Sequence, residues 1–389
     1  VPPRLTLWTQ RFTSREGGMG TWLEQIARWG GRSGWMTTVR HFTPDPASFE
    51  KDADLPFHYE SVEIPRPHID CATLAASLRV GRGVWKHRGE LAESDLAIEI
   101  FGEPSDLKFW TFTLVGRQVR PYALVIGCRT FEDHAPGGWK KRWRNRFYLG
   151  WMQGARGILV DGEDVKRELA AHGVNADRIR VMYASVDTRR YHDRVSSEPF
   201  WRALKEQGIE RQSGSLLLFC GRLHAMNRPL DFLEVLAKIP EAWGVLIGDG
   251  PQRAAVEARM KDMPGRAFLI GYQPEEILAS AFRAATLCLF PLGREIAGIS
   301  LVVPKAMACG AAVVTNRVAD LPRLIASGEN GMLCEEGDIE GWVKITKDLL
   351  AQPERAEQLG RQARLTIEAD WTETARAGHY REWFESMRE

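Results

Sequence analysis

Between Ser215 and Leu333, short apolar runs alternate with helical patterns, and most of the runs end in a glycine or an arginine. The runs cover 216–220, 244–247, 267–270, 285–290 and 311–315. A short, wholly apolar run bounded by turn residues suits a strand buried on both faces, and helices between successive strands make those strands parallel. That alternation predicts a doubly wound α/β domain. In such a sheet, ligands lie beyond the carboxyl ends of the strands, so the residue following each run carries the information.

Gly221-Arg222 follows the first run, Gly248-Asp249-Gly250 the second and Gly271-Tyr272 the third. Glycines let a ligand approach the backbone, and Arg222 places a fixed cation at the same edge. After the fourth run, 291–300 reads as a loop, and Gly298 to Gly310 reads as the start of a helix closed by a glycine. The N–H groups of Ile299, Ser300 and Leu301 would then be the unpaired donors of its first turn, suited to a diphosphate. Pro304 is tolerated within that turn.

The first half repeats the alternation more loosely, with strands expected at 4–8, 35–40, 96–101, 123–128, 157–160 and 180–183. Gly17, Gly18 and Gly20 separate the first strand from a helical pattern over 21–29. That loop is either a tight turn or a close approach to an anion at a helix N-terminus. The segment 187–215 is charged and turn-rich, the expected linker. A chain of 389 residues suits two such domains. They are expected at 1–188 and 189–370, with a C-terminal helix over 371–389 packing back toward the first.

A hydrophobic content of 44% and a charged content of 26% belong to a soluble globular protein. The net charge of +1 gives no electrostatic footprint for nucleic acid. Cys71, Cys128, Cys220, Cys288, Cys309 and Cys334 show no C-x-x-C spacing, which predicts buried free thiols and a reducing, cytoplasmic location. No apolar run approaches the roughly 18 residues that span a bilayer. No H-x-x-H or carboxylate–histidine cluster points to a metal.

In order, Phe219-Cys-Gly-Arg-Leu223, Leu246-Ile-Gly-Asp-Gly-Pro251, Phe268-Leu-Ile-Gly-Tyr272, Ala306-Met-Ala-Cys-Gly310 with Val313-Val314, and Gly328-Glu-Asn-Gly-Met-Leu333 resemble the family-4 retaining glycosyltransferases. Arg178-Ile-Arg-Val-Met182 and Val186-Asp187 resemble the end of that family's N-terminal domain, and Gly17-Gly18 its donor-phosphate loop. The resemblance implies the GT-B fold, two Rossmann-like doubly wound domains facing across a cleft. It implies transfer of a sugar from a nucleotide-diphosphate donor to a glycan or lipid-linked acceptor, with retention, no metal and no resident cofactor. Arg222, helped by the amides of Gly17, Gly18 and residues 298–301, would hold the diphosphate, and Tyr272 would border the base.

Three departures from the family pattern stand out. Asn227, followed by Arg228, takes the place of a lysine; Arg228 is either the second cation or a solvated residue at a helix start. Ala297 and Lys305 stand where the family has two glutamates, one for sugar hydroxyls and one for the ribose. Glu295 lies close enough to take over the first role, and Lys305 would bind phosphate or a donor carboxylate instead. In the first half, the family's sugar-facing histidine would be His134, which comes late in its loop after Glu132 and Asp133; this polar cluster is either a sugar or acceptor contact or a plain solvated loop.

The segment 138–151 mixes cations with aromatics, as interfacial membrane-binding segments do, and a second basic stretch lies at 79–88. Peripheral contact with the cytoplasmic membrane face would bring a lipid-linked acceptor within reach. The competing reading is a helix packing Trp143, Phe147 and Trp151 on its own core. Two other functions fit the same cleft: a catalytically weak or inactive sugar-nucleotide-binding protein, and a nucleotide-sugar epimerase.

Overall fold

A computed structural model of the chain describes residues 1–9, 18–43, 57–63, 89, 93–101, 122–127 and 139–388. The chain divides into two compact units. Unit 1 holds Val1–Ala184 and Ala377–Glu389, and unit 2 holds Ser185–Arg376.

Unit 1 is built on a parallel sheet of β1 (Arg4–Thr9), β2 (Met36–Thr43), β3 (His58–Glu63), β4 (Leu96–Phe101), β5 (Tyr122–Ile126), β6 (Gly157–Val160) and β7 (Ile179–Val181). Its order is β3-β2-β1-β4-β5-β6-β7, so the chain reverses its direction of travel across the sheet at β1. The strands β5 and β6 are buried along their whole length, which is why their sequences are uninterrupted apolar runs. Helices α1 (Gly18–Arg32), α2 (Trp139–Gly154) and α3 (Glu163–Ala171) follow β1, β5 and β6. Trp22, Leu23, Ile26 and Ala27 of α1 pack on Leu5, Leu7 and Val39 of the sheet.

Unit 2 begins with α4 (Glu198–Glu206) and continues as β8 (Ser215–Cys220), α5 (Pro229–Ala237), β9 (Ala242–Ile247), α6 (Arg253–Met260), β10 (Ala267–Leu269) and α7 (Glu275–Ala284). It is completed by β11 (Leu287–Phe290), α8 (Val302–Ala308), β12 (Val313–Asn316), α9 (Leu321–Leu324), β13 (Met332–Cys334), α10 (Ile339–Leu350) and α11 (Pro353–Asp370). The sheet is parallel, in the order β10-β9-β8-β11-β12-β13, the Rossmann arrangement with its switch point between β8 and β11. Both expected domains are thus doubly wound.

Helix α12 (Glu373–Ser386) returns to unit 1, where Tyr380, Trp383, Phe384 and Met387 join the core of β1, β2 and α1. The expected linker is different from a bare connection. It contains α4, whose Phe200, Ala203 and Leu204 are buried at helical spacing, and Phe200 N–H donates to Ser280 Oγ of α7 at 2.9 Å. Of the first-half residues expected to carry function, Gly17, Glu132, Asp133, His134 and the stretch 79–88 lie outside the described residues. No described helix is long and apolar enough to cross a membrane.

Candidate functional site

The carboxyl edge of the unit 2 sheet is a web of backbone contacts between glycine-bearing loops. Gly221 N–H donates to Ile247 C=O at 3.0 Å, Leu223 N–H to Asp249 C=O at 2.9 Å, and Gly248 N–H to Gly271 C=O at 2.8 Å. A Cβ on Gly248 would overlap the Gly221 carbonyl, and one on Gly250 would crowd Leu223. Here the sequence needs glycine because two backbones touch, which joins the loops after β8, β9 and β10 into one platform. Asp249 accepts from the Gly250 N–H and from Arg253, and those two hydrogen bonds hold its carboxyl below the usual range.

Arg222 stands on this platform at the end of β8. Its side chain is exposed, and no carboxylate pairs with it among the described residues. Its carbonyl is held from two sides, by His224 N–H at 2.8 Å and by the Asn227 side-chain amide at 2.7 Å. Asn227 is therefore no substitute cation; its amide fixes the backbone that carries Arg222.

Arg228 adopts the left-handed conformation, with φ 49° and ψ 50°, at the N-terminus of α5. Its guanidinium is occupied, by Asp231 at 2.7 Å and by Glu336 at 2.8 Å. Burial works against its charge, but the Asp231 hydrogen bond and the Asp231 and Glu336 charges prevail and raise its pKa. Arg228 is thus neither a free second cation nor a solvated residue. It is a joint between loops.

Across the switch point, α8 starts at Val302, so Ile299, Ser300 and Leu301 lie just before it instead of forming its first turn. No described group accepts from the N–H of any of the three, and all three are half-buried. Gly298 has φ 58°, and its carbonyl accepts from Asp320 N–H at 3.1 Å. The donors expected from the sequence are present, one turn earlier than a helix terminus would put them. The loops after β8 and β11 are joined directly, since Gly293 N–H donates to Met226 C=O at 2.7 Å. Glu295 is exposed on the β11 loop, and its charge is felt by Arg228.

Lys305 is committed elsewhere. Its ammonium lies 2.7 Å from Glu275 Oε2 and 5.1 Å from the centre of the Tyr191 ring, while the Tyr191 hydroxyl donates to the same carboxylate. Burial first, then the Glu275 charge, pushes the Tyr191 hydroxyl far above its ordinary range. Cys220, the last residue of β8, is pushed up to about 12 by burial, with Lys305 and Glu275 acting in opposite directions. The expected phosphate-binding lysine is thus paired in a partly buried cluster. Tyr272 is 59% exposed on the loop after β10, beside the buried Ile270.

In unit 1, Gly18 is the first residue of α1. The segment 138–151 largely forms α2, on which Tyr148, Trp151 and Met152 face the core and Arg146 is exposed. Asn227, Glu275 and Glu336 were not among the expected site residues. Glu275 was detectable in principle, because it follows the third junction by three residues.

Comparison with known proteins agrees with this layout. The family described as "Glycosyl transferases group 1" matches residues 214–352, and "Glycosyl transferase 4-like domain" matches residues 17–184. Together they account for most of both units, and the chain belongs to this glycosyltransferase family. Among curated relatives, the sulfoquinovosyl transferase SQD2 of Arabidopsis thaliana is 30% identical over 55% of this chain and 41% of its own length. An N-acetyl-alpha-D-glucosaminyl L-malate synthase of Bacillus anthracis is 29% identical over 49% of each chain. The matched stretch therefore spans about half the length of these relatives. Among solved structures, a sucrose-phosphate synthase from Thermosynechococcus elongatus aligns over 99% of both chains with a TM-score of 0.80 and 16% identity. Anabaena HepE in complex with UDP and glucose aligns over 99% of this chain and 100% of its own, with a TM-score of 0.78 and 16% identity. The fold is GT-B.

Proposed function

We propose that the chain transfers a sugar from a nucleotide diphosphate to a glycan or lipid-linked acceptor, with retention and without a metal or resident cofactor. The observation that carries this reading is the pairing at the switch point of unit 2. Among the described residues, an arginine without a carboxylate partner follows β8, and three N–H groups without acceptors precede α8 after the neighbouring strand β11. A diphosphate satisfies both sets.

The chemistry follows from that placement. The bond between the anomeric carbon and the phosphate oxygen breaks, and negative charge grows on the leaving diphosphate. Arg222 and the amides of Ile299, Ser300 and Leu301 offset that charge where it develops. The acceptor oxygen bonds to the same face of the sugar, and its proton passes to the departing phosphate oxygen, so no protein nucleophile is needed. Tyr272 and Ile270 border the base. The family resemblance adds Gly17 and Gly18 as amides for the diphosphate and His134 for the sugar to this proposal, and Glu295 accepts from sugar hydroxyls in place of Ala297. The cations of the segment 138–151, of which Arg146 is exposed, hold the enzyme at the cytoplasmic membrane face, where lipid-linked acceptors lie.

HepE is described with UDP and with UDP-glucose, which makes uridine donors the first to test. In a thermal-shift panel of nucleotide sugars, at least one donor is expected to raise the melting temperature. A ligand at 100 times its dissociation constant stabilises by about 2.7 kcal/mol. EDTA is expected to leave that shift and the turnover unchanged. No shift with any uridine, guanosine or adenosine diphosphate sugar would contradict the proposal.

A further inference from the structure

Glu336 follows β13, yet its carboxylate reaches two loops that follow other strands. One oxygen accepts from Arg228 at 2.8 Å, after β8, and the other from Arg294 at 3.0 Å, after β11. Its side chain is only 12% exposed, whereas that of Arg294 is 78% exposed. Gly293 lies against the same group, because a Cβ there would meet Glu295, the Met226 carbonyl and Glu336 Oε1. The strained left-handed backbone of Arg228 is held by the same ion pairs.

We infer that Glu336 is a positioning residue that sets the 291–298 loop, and with it Glu295, against the donor sugar. The inference rests on the proposed function for its substrate and on the ion-pair geometry for its mechanism. A carboxylate bridging two guanidiniums from separate loops holds both loops at a fixed spacing, and the low exposure of Glu336 shields its pair with Arg228 from screening more than its pair with the exposed Arg294. Residues 270–272 lie on another junction, and Arg222, although on the same loop as Arg228, has its carbonyl held separately by His224 N–H and the Asn227 amide, so the base contacts and Arg222 are held independently of the bridge. Its loss is therefore expected to discriminate against the sugar and leave the nucleotide.

The test compares wild type with Glu336→Gln and with Arg294→Gln, the latter removing an exposed arm at little risk to folding. Hydrogen exchange of the ligand-free protein is expected to show faster exchange at 293–296 in both variants, with α5 and α10 unchanged. With UDP and UDP-glucose as probes, affinity for UDP should stay within about threefold while kcat/KM for UDP-glucose falls about tenfold or more, equivalent to about 1.4 kcal/mol. Glu336→Asp, too short to reach both arginines, should not restore it. Unchanged exchange at 293–296 would overturn the inference, as would equal losses for UDP and UDP-glucose. If wild type bound neither probe, the uridine-donor reading would fail, and the exchange data alone would decide whether Glu336 sets the loop.

Discussion

At the scale of single residues, what separates the site from the rest of unit 2 is which charges are already spent. Arg228 is paired with Asp231 and Glu336, and Lys305 with Glu275, while Arg222 has no carboxylate partner among the described residues. The sequence shows all three cations and cannot rank them, because Lys305 and Glu275 lie 30 positions apart and only the packing of α7 on α8 brings them together. Asn227→Ala removes the hydrogen bond on the Arg222 carbonyl, and a loss of about 1 kcal/mol of stability is expected by denaturant unfolding. The buried thiols make a second prediction. Burial pushes Cys220, Cys309 and Cys334 from 9.0 up to about 12, so the folded chain holds their protons more tightly than the unfolded chain. Their contribution to stability is present below pH 9 and is lost as pH rises from about 9 to 12. At pH 8, peptide mapping after iodoacetamide treatment should find these three thiols unlabelled unless denaturant is added.

At the scale of elements, legibility followed burial. The strands β4 and β6 match their expected bounds because they are continuous apolar runs inside the sheet. The strand β3 escaped notice, since His58-Tyr-Glu-Ser-Val-Glu63 is a polar edge strand paired only with β2. At three residues, β13 is too short to show a period, and so Glu336 could not be placed at a strand end. The helix α4 was hidden in a charged stretch, although Phe200, Ala203 and Leu204 carry its helical spacing. The glycine platform was legible as a series of junctions, but not as touching backbones. Gly248, with φ 142°, abuts the Gly221 carbonyl, so Gly248→Ala must shift one of the two loops. A stability loss on the order of 3 kcal/mol is expected, together with weaker nucleotide binding, measured by thermal unfolding and calorimetry.

At the scale of the whole molecule, the C-terminal helix completes unit 1 after the chain has built unit 2. Trp29 stacks on Tyr380 with ring centres 5.9 Å apart, and Phe384 meets Trp35 at 6.3 Å. Phe384 is fully buried, so Phe384→Ala should destabilise unit 1 by about 3–5 kcal/mol, visible as a separate early transition in calorimetry. The aromatic ending of the sequence made that role readable; the two-unit division added which core it enters. The central claim is that Arg222 carries the charge of a departing nucleotide diphosphate. It is tested most directly by measuring nucleoside diphosphate release from the donor selected by thermal shift, in wild type and in Arg222→Gln. Turnover by wild type is expected, with a loss on the order of 10²-fold or more in kcat for the variant and its folding unchanged. Equal turnover by the two proteins would contradict that claim.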